Sequence, residues 1–278
     1  RVKELVSLSK TLLTEAGLAA SAITQTVIGS PGVYDPRRDS LALAGSLPGW
    51  ESPAVLAALR TAFGKHLMIE NDIDAAAVAE RTHGHGHDLD SFAFVSVGTG
   101  IGMGLMIGGK LHRGAHGAAG EIGYLPFSEG HGADVDDARK RGSFEAAASA
   151  AAVVRAAKRA GVRPSASAQK VFAAAADGDE SARAVVAEEA LLVAKAICAV
   201  VTVVDPELIV LGGGIGQAPG FVDAVADELR RLAPVPPEVK VSALGADAVV
   251  DGCIAAGLDR AWEILTAAIP APTADVVS

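Results

Sequence analysis

The residues able to do chemistry fall in four short stretches. Glu70-Asn71-Asp72 sets two carboxylates around an amide where a strand-like run gives way to a helix-like one. A carboxylate there can take a proton from a substrate hydroxyl while the amide orients that substrate. Helix capping by Asp72 or Asp74 explains the same residues as well. From Val97 to Gly104 glycine recurs at alternate positions, Gly98, Gly100, Gly102 and Gly104, with Thr99 between. Such spacing lets the backbone approach a bulky anion and turn amide N–H groups toward phosphate. A hairpin turn needing positive φ reads alike. Gly212-Gly213-Gly214 lies between a strand and a helix, where a flat ring or a phosphate can rest on the backbone. The alternative is a tight connection. Arg113 to Tyr124 isolates one carboxylate, Glu121, among small residues. It can accept two hydroxyl hydrogen bonds from a polyol, or the stretch is a glycine-rich surface loop.

Elements of alternating type must position these stretches. Leu5, Leu8, Leu12 and Leu13 predict a helix over Lys3 to Ala16. Ala22 to Ile28 reads as a strand closed by the Ser30-Pro31-Gly32 turn, and Ser40 to Trp50 as loop. Ser52-Pro53 starts a helix to about Phe63. His66 to Ile69 is a strand and Asp72 to Arg81 a helix with an acidic first turn. Two strands, Phe92 to Val97 and Met103 to Ile107, flank the alternating glycines. Helices follow at Ser143 to Ala160, Ser167 to Ala176 and Glu180 to Val204, the last apolar enough to be buried. A strand at Leu208 to Leu211, a helix at Phe221 to Leu232, a strand at Val239 to Ser242 and a helix at Asp251 to Leu265 complete an α/β pattern with mixed sheets. The segment from Pro270 reads as disordered.

Composition narrows the partners. The chain of 278 residues is 50% hydrophobic and 4% aromatic, so a sizeable core is built from Ala, Val, Leu and Ile. A formal charge of -9 disfavours contact with nucleic acid or anionic membranes, so DNA would be touched only by some other segment. Cys198 and Cys253 sit in apolar runs, which predicts reduced thiols and a cytoplasmic location. The residues predict neither a signal peptide nor an uninterrupted spanning run. The chain begins at Arg1 inside a helix pattern, which reads as a fragment. His83, His85 and His87 alternate with glycine in a loop that could hold a metal only adventitiously.

Taken together and in this order, the four stretches resemble the ROK family (repressors, open reading frames and kinases) from about Ala22 to Leu265. The signature reads through Val97, Gly98, Gly100, Gly102, Gly104, Gly114, Gly120 and Gly123. The resemblance implies an actin- and hexokinase-like, ribonuclease H-like fold of two α/β domains. Residues 1–72, with a C-terminal helix at about 251–266, would be the remnant of the smaller domain. Residues 73–250 would be the larger domain and 267–278 a tail. It further implies that Asp72 is the catalytic base and that Gly32, Ser46, Asn71, Asp72, Glu121, Tyr124 and Glu145 surround a sugar. Gly98, Thr99, Gly100 and Gly102 would meet phosphate, and Gly212, Gly213 and Gly214 the adenosine side.

The chain departs from the family pattern in three places. The opening Asp-x-Gly-Gly-Thr phosphate loop is not among these residues, so the expectation is no phosphoryl transfer by this chain alone. Tyr124 stands where the family carries His, and where its zinc-cysteine run falls, aligned on Gly142 and Glu145, this chain offers Asp136, Ala138, Arg139 and Ser143, with no thiolate. Tetrahedral zinc needs four good ligands, so no metal is expected. Ser46 replaces a sugar-contacting Asn. These departures suggest the sugar-sensing effector domain of a transcriptional regulator, NagC-type in character but without the zinc motif, with DNA bound through a separate N-terminal domain. The alternative is an ATP- and Mg-dependent hexose or N-acylhexosamine kinase. The resemblance also implies a homodimer or tetramer.

Overall fold

Local sequence sets most element ends in the computed structural model, which describes residues 1–127 and 140–267. Helix α1 (Val2–Ala16) stops at Gly17, whose φ of 66° takes the left-handed conformation glycine allows. Strands β1 (Thr26–Ser30), β2 (Val33–Asp35) and β3 (Ser40–Ala42) follow. The expected loop over Ser40 to Trp50 therefore begins as a strand, because β3 pairs antiparallel with β2. Helix α2 (Pro53–Phe63) begins as the sequence predicts, with proline in its first turn and the Ser52 side chain accepting from the Ala54 N–H. Strand β4 (Leu67–Asn71) pairs parallel with β1 and runs straight into helix α3 (Asp72–His83).

The larger sheet is built from β5 (Phe92–Val97), β6 (Ile101–Ile107), β7 (Lys110–Leu111), β8 (Leu208–Gly212) and β9 (Glu238–Val241), in the order β7-β6-β5-β8-β9. Hairpin pairing joins β5 to β6, and parallel pairing joins β5 to β8 and β8 to β9. Helices α4 (Ser143–Ala148), α5 (Ala150–Arg159), α6 (Ala168–Ala176), α7 (Glu180–Val204), α8 (Gly213–Gly216), α9 (Phe221–Leu232) and α10 (Ala248–Ala267) pack around this sheet or follow it in the chain. Val95, Val97, Ile209 and Leu211 share a core with Ile197 of α7, Leu229 of α9 and Phe144 of α4. Ala76 and Ala77 of α3 pack with Phe92 and Phe94 on the sheet. Phe92, Phe144 and Phe221 are fully buried, each contributing about 2–3 kcal/mol of apolar transfer. Helix α10 lies against α3 and β1.

The single helix expected over Ser143 to Ala160 is two. Ser149 adopts extended angles, φ -73° and ψ 166°, and breaks the run. The Ala150 N–H then donates to the Gly98 carbonyl at 2.8 Å. The break thus pins this helical layer to the alternating-glycine turn, a link no local propensity could announce. The strand expected from Ala22 starts only at Thr26, since Ala20–Ala22 forms a short 3₁₀ turn. No helix among the described residues is long and apolar enough to cross a membrane.

One buried group in this layer predicts a pH effect on stability. Glu189 of α7 is 3% exposed, and its Oε1 has no hydrogen-bond partner among the described residues. It lines a cavity of about 20 Å³ with Arg155, Val153 and Glu188. Burial, then repulsion from Glu188, pushes its pKa well above 4.5. A raised carboxyl pKa gives stability that is complete below the unfolded value and is lost as pH rises toward the folded one. Glu189→Gln is expected to raise Tm at pH 7 and to change it little at pH 4, as read by thermal unfolding at both. A loss of stability at pH 7 would contradict this.

Candidate functional site

The site is assembled where β4 meets α3. Asn71 is at once the last strand residue and the N-cap of α3: its Oδ1 accepts from the Ile73 N–H at 2.8 Å and the Asp74 N–H at 3.0 Å. The cap is therefore Asn71, not Asp72 or Asp74, because the strand ends with the Asn71 side chain over the first helical N–H groups. Its Nδ2 donates to the Gly32 carbonyl at 2.9 Å, tying the β1–β2 turn to the helix. An amide has two N–H hydrogens, so one is left for a ligand. Asp72 opens the helix, its Oδ1 accepting from the Ile73 N–H at 3.0 Å. Burial raises its pKa, opposed by that backbone hydrogen bond.

The alternating-glycine turn lies beside it. A methyl group on Gly102 would come 3.1 Å from Ile73 of α3, and one on Gly100 would come 3.0 Å from Glu145 Oε2. Glu145, on α4, accepts from the Ile101 N–H at 2.8 Å. Across the sheet, Gly98 and Gly214 stand backbone to backbone: a Cβ on Gly98 would sit 3.3 Å from the Gly214 nitrogen. Gly213 has φ 76°, a conformation open to glycine, and an added Cβ would run into the Val97 carbonyl. The two glycine loops thus form one bare backbone surface at the C-terminal ends of β5 and β8, where open α/β sheets bind ligands. Thr99 and Gly100 are exposed at its rim.

Glu121 begins a 3₁₀ turn, Ile122–Tyr124, held over β6 by the Met103 N–H donating to the Gly120 carbonyl at 2.9 Å. Its pKa is raised by burial, then by Glu145, then by Asp72. Asp72, Glu121 and Glu145 therefore share one electrostatic environment. Tyr124 is 41% exposed, with its hydroxyl donating to the Lys140 carbonyl at 3.3 Å. Ser46 lies exposed in the turn between β3 and α2. Of the residues aligned with the zinc run, Asp136, Ala138 and Arg139 lie outside the described residues. Ser143 Oγ donates to the Leu125 carbonyl at 2.7 Å. His83 ends α3, and His87 Nδ1 is 2.9 Å from Asp88. No group of three potential metal ligands forms among the described residues.

Sequence reasoning overlooked a second acidic layer beneath the first. Glu70, 3% exposed, accepts two hydrogen bonds from Arg113, one from Nε at 3.1 Å and one from an Nη. Asp74, 4% exposed, leaves Oδ1 without a hydrogen-bond partner among the described residues. Its pKa is pushed up to about 8 by burial first and Glu70 second, with Arg113 opposing and Glu121 and Asp72 adding to the rise. Glu70 and Arg113 both lay inside recognised stretches, but 43 positions apart no spacing rule joins them.

The fold, with its two glycine loops at the C-terminal ends of β5 and β8, is that of an actin- and hexokinase-like α/β protein. The ROK family model matches residues 2–257, and the chain belongs to the ROK family. It is similar to the ROK hexokinase of Thermus thermophilus, with 30% identity, a TM-score of 0.80, and 94% of this chain and 87% of that one covered. It is 35% identical over 149 residues to the bifunctional enzyme NanE/NanK of Brucella melitensis, covering 53% of this chain and 27% of that protein. The chain spans about a quarter of the length of the first curated relatives it matches. A ROK family transcriptional regulator, a homolog of the E. coli MLC protein, shares the fold with a TM-score of 0.78 at 24% identity, covering 95% and 70%.

Proposed function

We propose that this chain carries the sugar site and the general base of an ATP-dependent ROK sugar kinase. The observation that supports it is Asp72, a part-buried carboxylate with a raised pKa at the start of α3, beside a backbone surface two glycine loops leave bare. The regulator reading has less support, since its relative is similar in fold alone while the hexokinase and NanE/NanK reach 30% and 35% identity.

In this reading Glu121 and Glu145 accept hydrogen bonds from sugar hydroxyls, and the spare Asn71 N–H donates one. Asp72 removes the proton from the attacking hydroxyl. The new O–P bond forms on the terminal phosphoryl group of the triphosphate as the bond to the diphosphate breaks, and the proton rests on Asp72. The Gly98–Gly102 and Gly212–Gly214 loops suit a nucleotide because glycine at Gly98 and Gly213 lets them close against each other with their backbone bare; a Cβ at either would meet the other loop's backbone or the Val97 carbonyl. A metal ion bound with the triphosphate would neutralise part of its charge. Transfer also requires a first phosphate loop, which these 278 residues do not contain.

The test is ADP release by the natural polypeptide across hexoses, aminohexoses and N-acetylhexosamines. Sugar-dependent turnover with at least one of them is expected. Sugar-independent background throughout would overturn the kinase reading.

A further inference from the structure

One ion pair joins the strand that carries the base to the loop that carries Glu121. Glu70 is buried near the end of β4, one residue before Asn71 and two before Asp72. Arg113, after β7, meets both Glu70 oxygens, one through Nε at 3.1 Å and one through an Nη. Arg113 also opens the loop that ends in Glu121. That loop closes on itself where the Ala119 N–H donates to the Arg113 carbonyl at 3.1 Å, and a Cβ on Gly114 would stand 3.1 Å from the Ala119 side chain. At its crest Gly117 lies against β2: its φ is 74°, and an added Cβ would come 2.5 Å from the Tyr34 carbonyl oxygen. At its end the Gly120 carbonyl accepts from the Met103 N–H of β6 at 2.9 Å. The residues flanking Met103 touch α3: a Cβ on Gly102 would stand 3.1 Å from the Ile73 side chain, and one on Gly104 would stand 2.8 Å from the Ile73 carbonyl oxygen. Glu121 and Asp72 are thus mounted on neighbouring residues of one strand, and the Arg113–Glu70 pair ties the start of the loop to β4.

A guanidinium fork on a carboxylate fixes direction as well as distance, because two parallel hydrogen bonds resist rotation about either one. We propose that Arg113 is a positioning residue for sugar binding: its fork on Glu70 holds the 113–121 loop against β4, so that Glu121 presents its carboxylate to a sugar hydroxyl beside Asp72. A lysine in its place keeps the charge but donates as a single point, and the loop can then turn about that contact. The proposal rests on the reading of this cleft as a sugar site, and it goes beyond that reading in assigning sugar affinity to two residues outside the sugar-contacting set.

Steady-state ADP release by the natural polypeptide, with the sugar it turns over fastest, tests this. Arg113→Lys is expected to raise the sugar KM about tenfold, near the effect of losing one charge-assisted hydrogen bond, with kcat and the ATP KM each within about threefold. Glu70→Gln breaks the same fork from the other side. It is expected to reproduce that pattern, and it serves if the lysine variant does not fold. In a Glu121→Ala background the loop has no carboxylate left to aim, so Arg113→Lys is expected to change the sugar KM by less than about twofold. A pair that braces the fold alone would lower Tm and leave the sugar KM unchanged, or would add its whole effect to that of Glu121→Ala. Either result overturns the proposal, as does a parallel rise in the ATP KM. If the wild type binds a sugar by calorimetry without turning it over, the kinase reading falls and the same ratios, read as Kd, decide the role of Arg113. A wild type that neither binds nor turns over any sugar overturns both.

Discussion

Asp72→Asn is expected to lower turnover of the natural polypeptide by about 10²- to 10⁴-fold, the usual contribution of a positioned general base, while sugar affinity changes only a few-fold. Asparagine keeps the size and the oxygen that accepts the Ile73 N–H, so the first turn of α3 stays capped by Asn71. What disappears is a group able to hold the proton of the attacking hydroxyl. Because burial raises the Asp72 pKa, the acid limb of kcat/KM should lie above the ordinary carboxylate range, with activity rising as Asp72 ionises. ADP release measures turnover, and calorimetry measures binding. A variant that keeps more than about a tenth of wild-type turnover would sink the assignment of Asp72 as base. One that loses sugar binding and turnover equally would recast Asp72 as a binding group.

Asp74→Asn is expected to stabilise the protein above neutrality by about 2–4 kcal/mol, allowing for a margin on 1.36 kcal/mol per pKa unit. Asp74 is 4% exposed and its pKa is pushed up to about 8, against about 3.9 in an unfolded chain. The folded pKa is raised, so the stability this group allows is complete below about pH 4 and is lost as pH climbs to about 8. The groups that set the shift are Glu70 at the end of β4, Arg113 after β7, Glu121 at the 3₁₀ turn and Asp72 on α3 itself. Asparagine cannot ionise, so its advantage should be absent near pH 4 and full at pH 8. Chemical unfolding at the two pH values decides it. An equal gain at both would mean that packing, not charge, accounts for the change.

These expectations also separate what a linear chain announces from what it conceals. The helix at Glu180–Val204 and the start of α2 at Ser52-Pro53 were legible to the residue, because caps and apolar period act within a few positions. The glycine stretches were legible as candidates, since only glycine leaves backbone bare. Their convergence was not, because the approach of Gly98 to Gly214 follows from the parallel register of β5 and β8. The split at Ser149 escaped notice because its cause, the Ala150–Gly98 hydrogen bond, is itself tertiary.

The sequence by itself determined the family and most of the strands and helices, and it singled out Asp72, Glu121 and Glu145 as candidates, because those rest on residue type and short spacing. Only the tertiary structure decided that Asn71 caps α3 while holding Gly32, 39 positions away, and that Arg113 closes on Glu70. It alone decided that Asp74 is a buried acid whose pKa is pushed up to about 8 and that the Glu121 carboxyl is raised by burial and by Glu145 and Asp72. The physical reason is that ionisation depends on desolvation and on charges distant in sequence, and both are fixed only when helix and sheet pack.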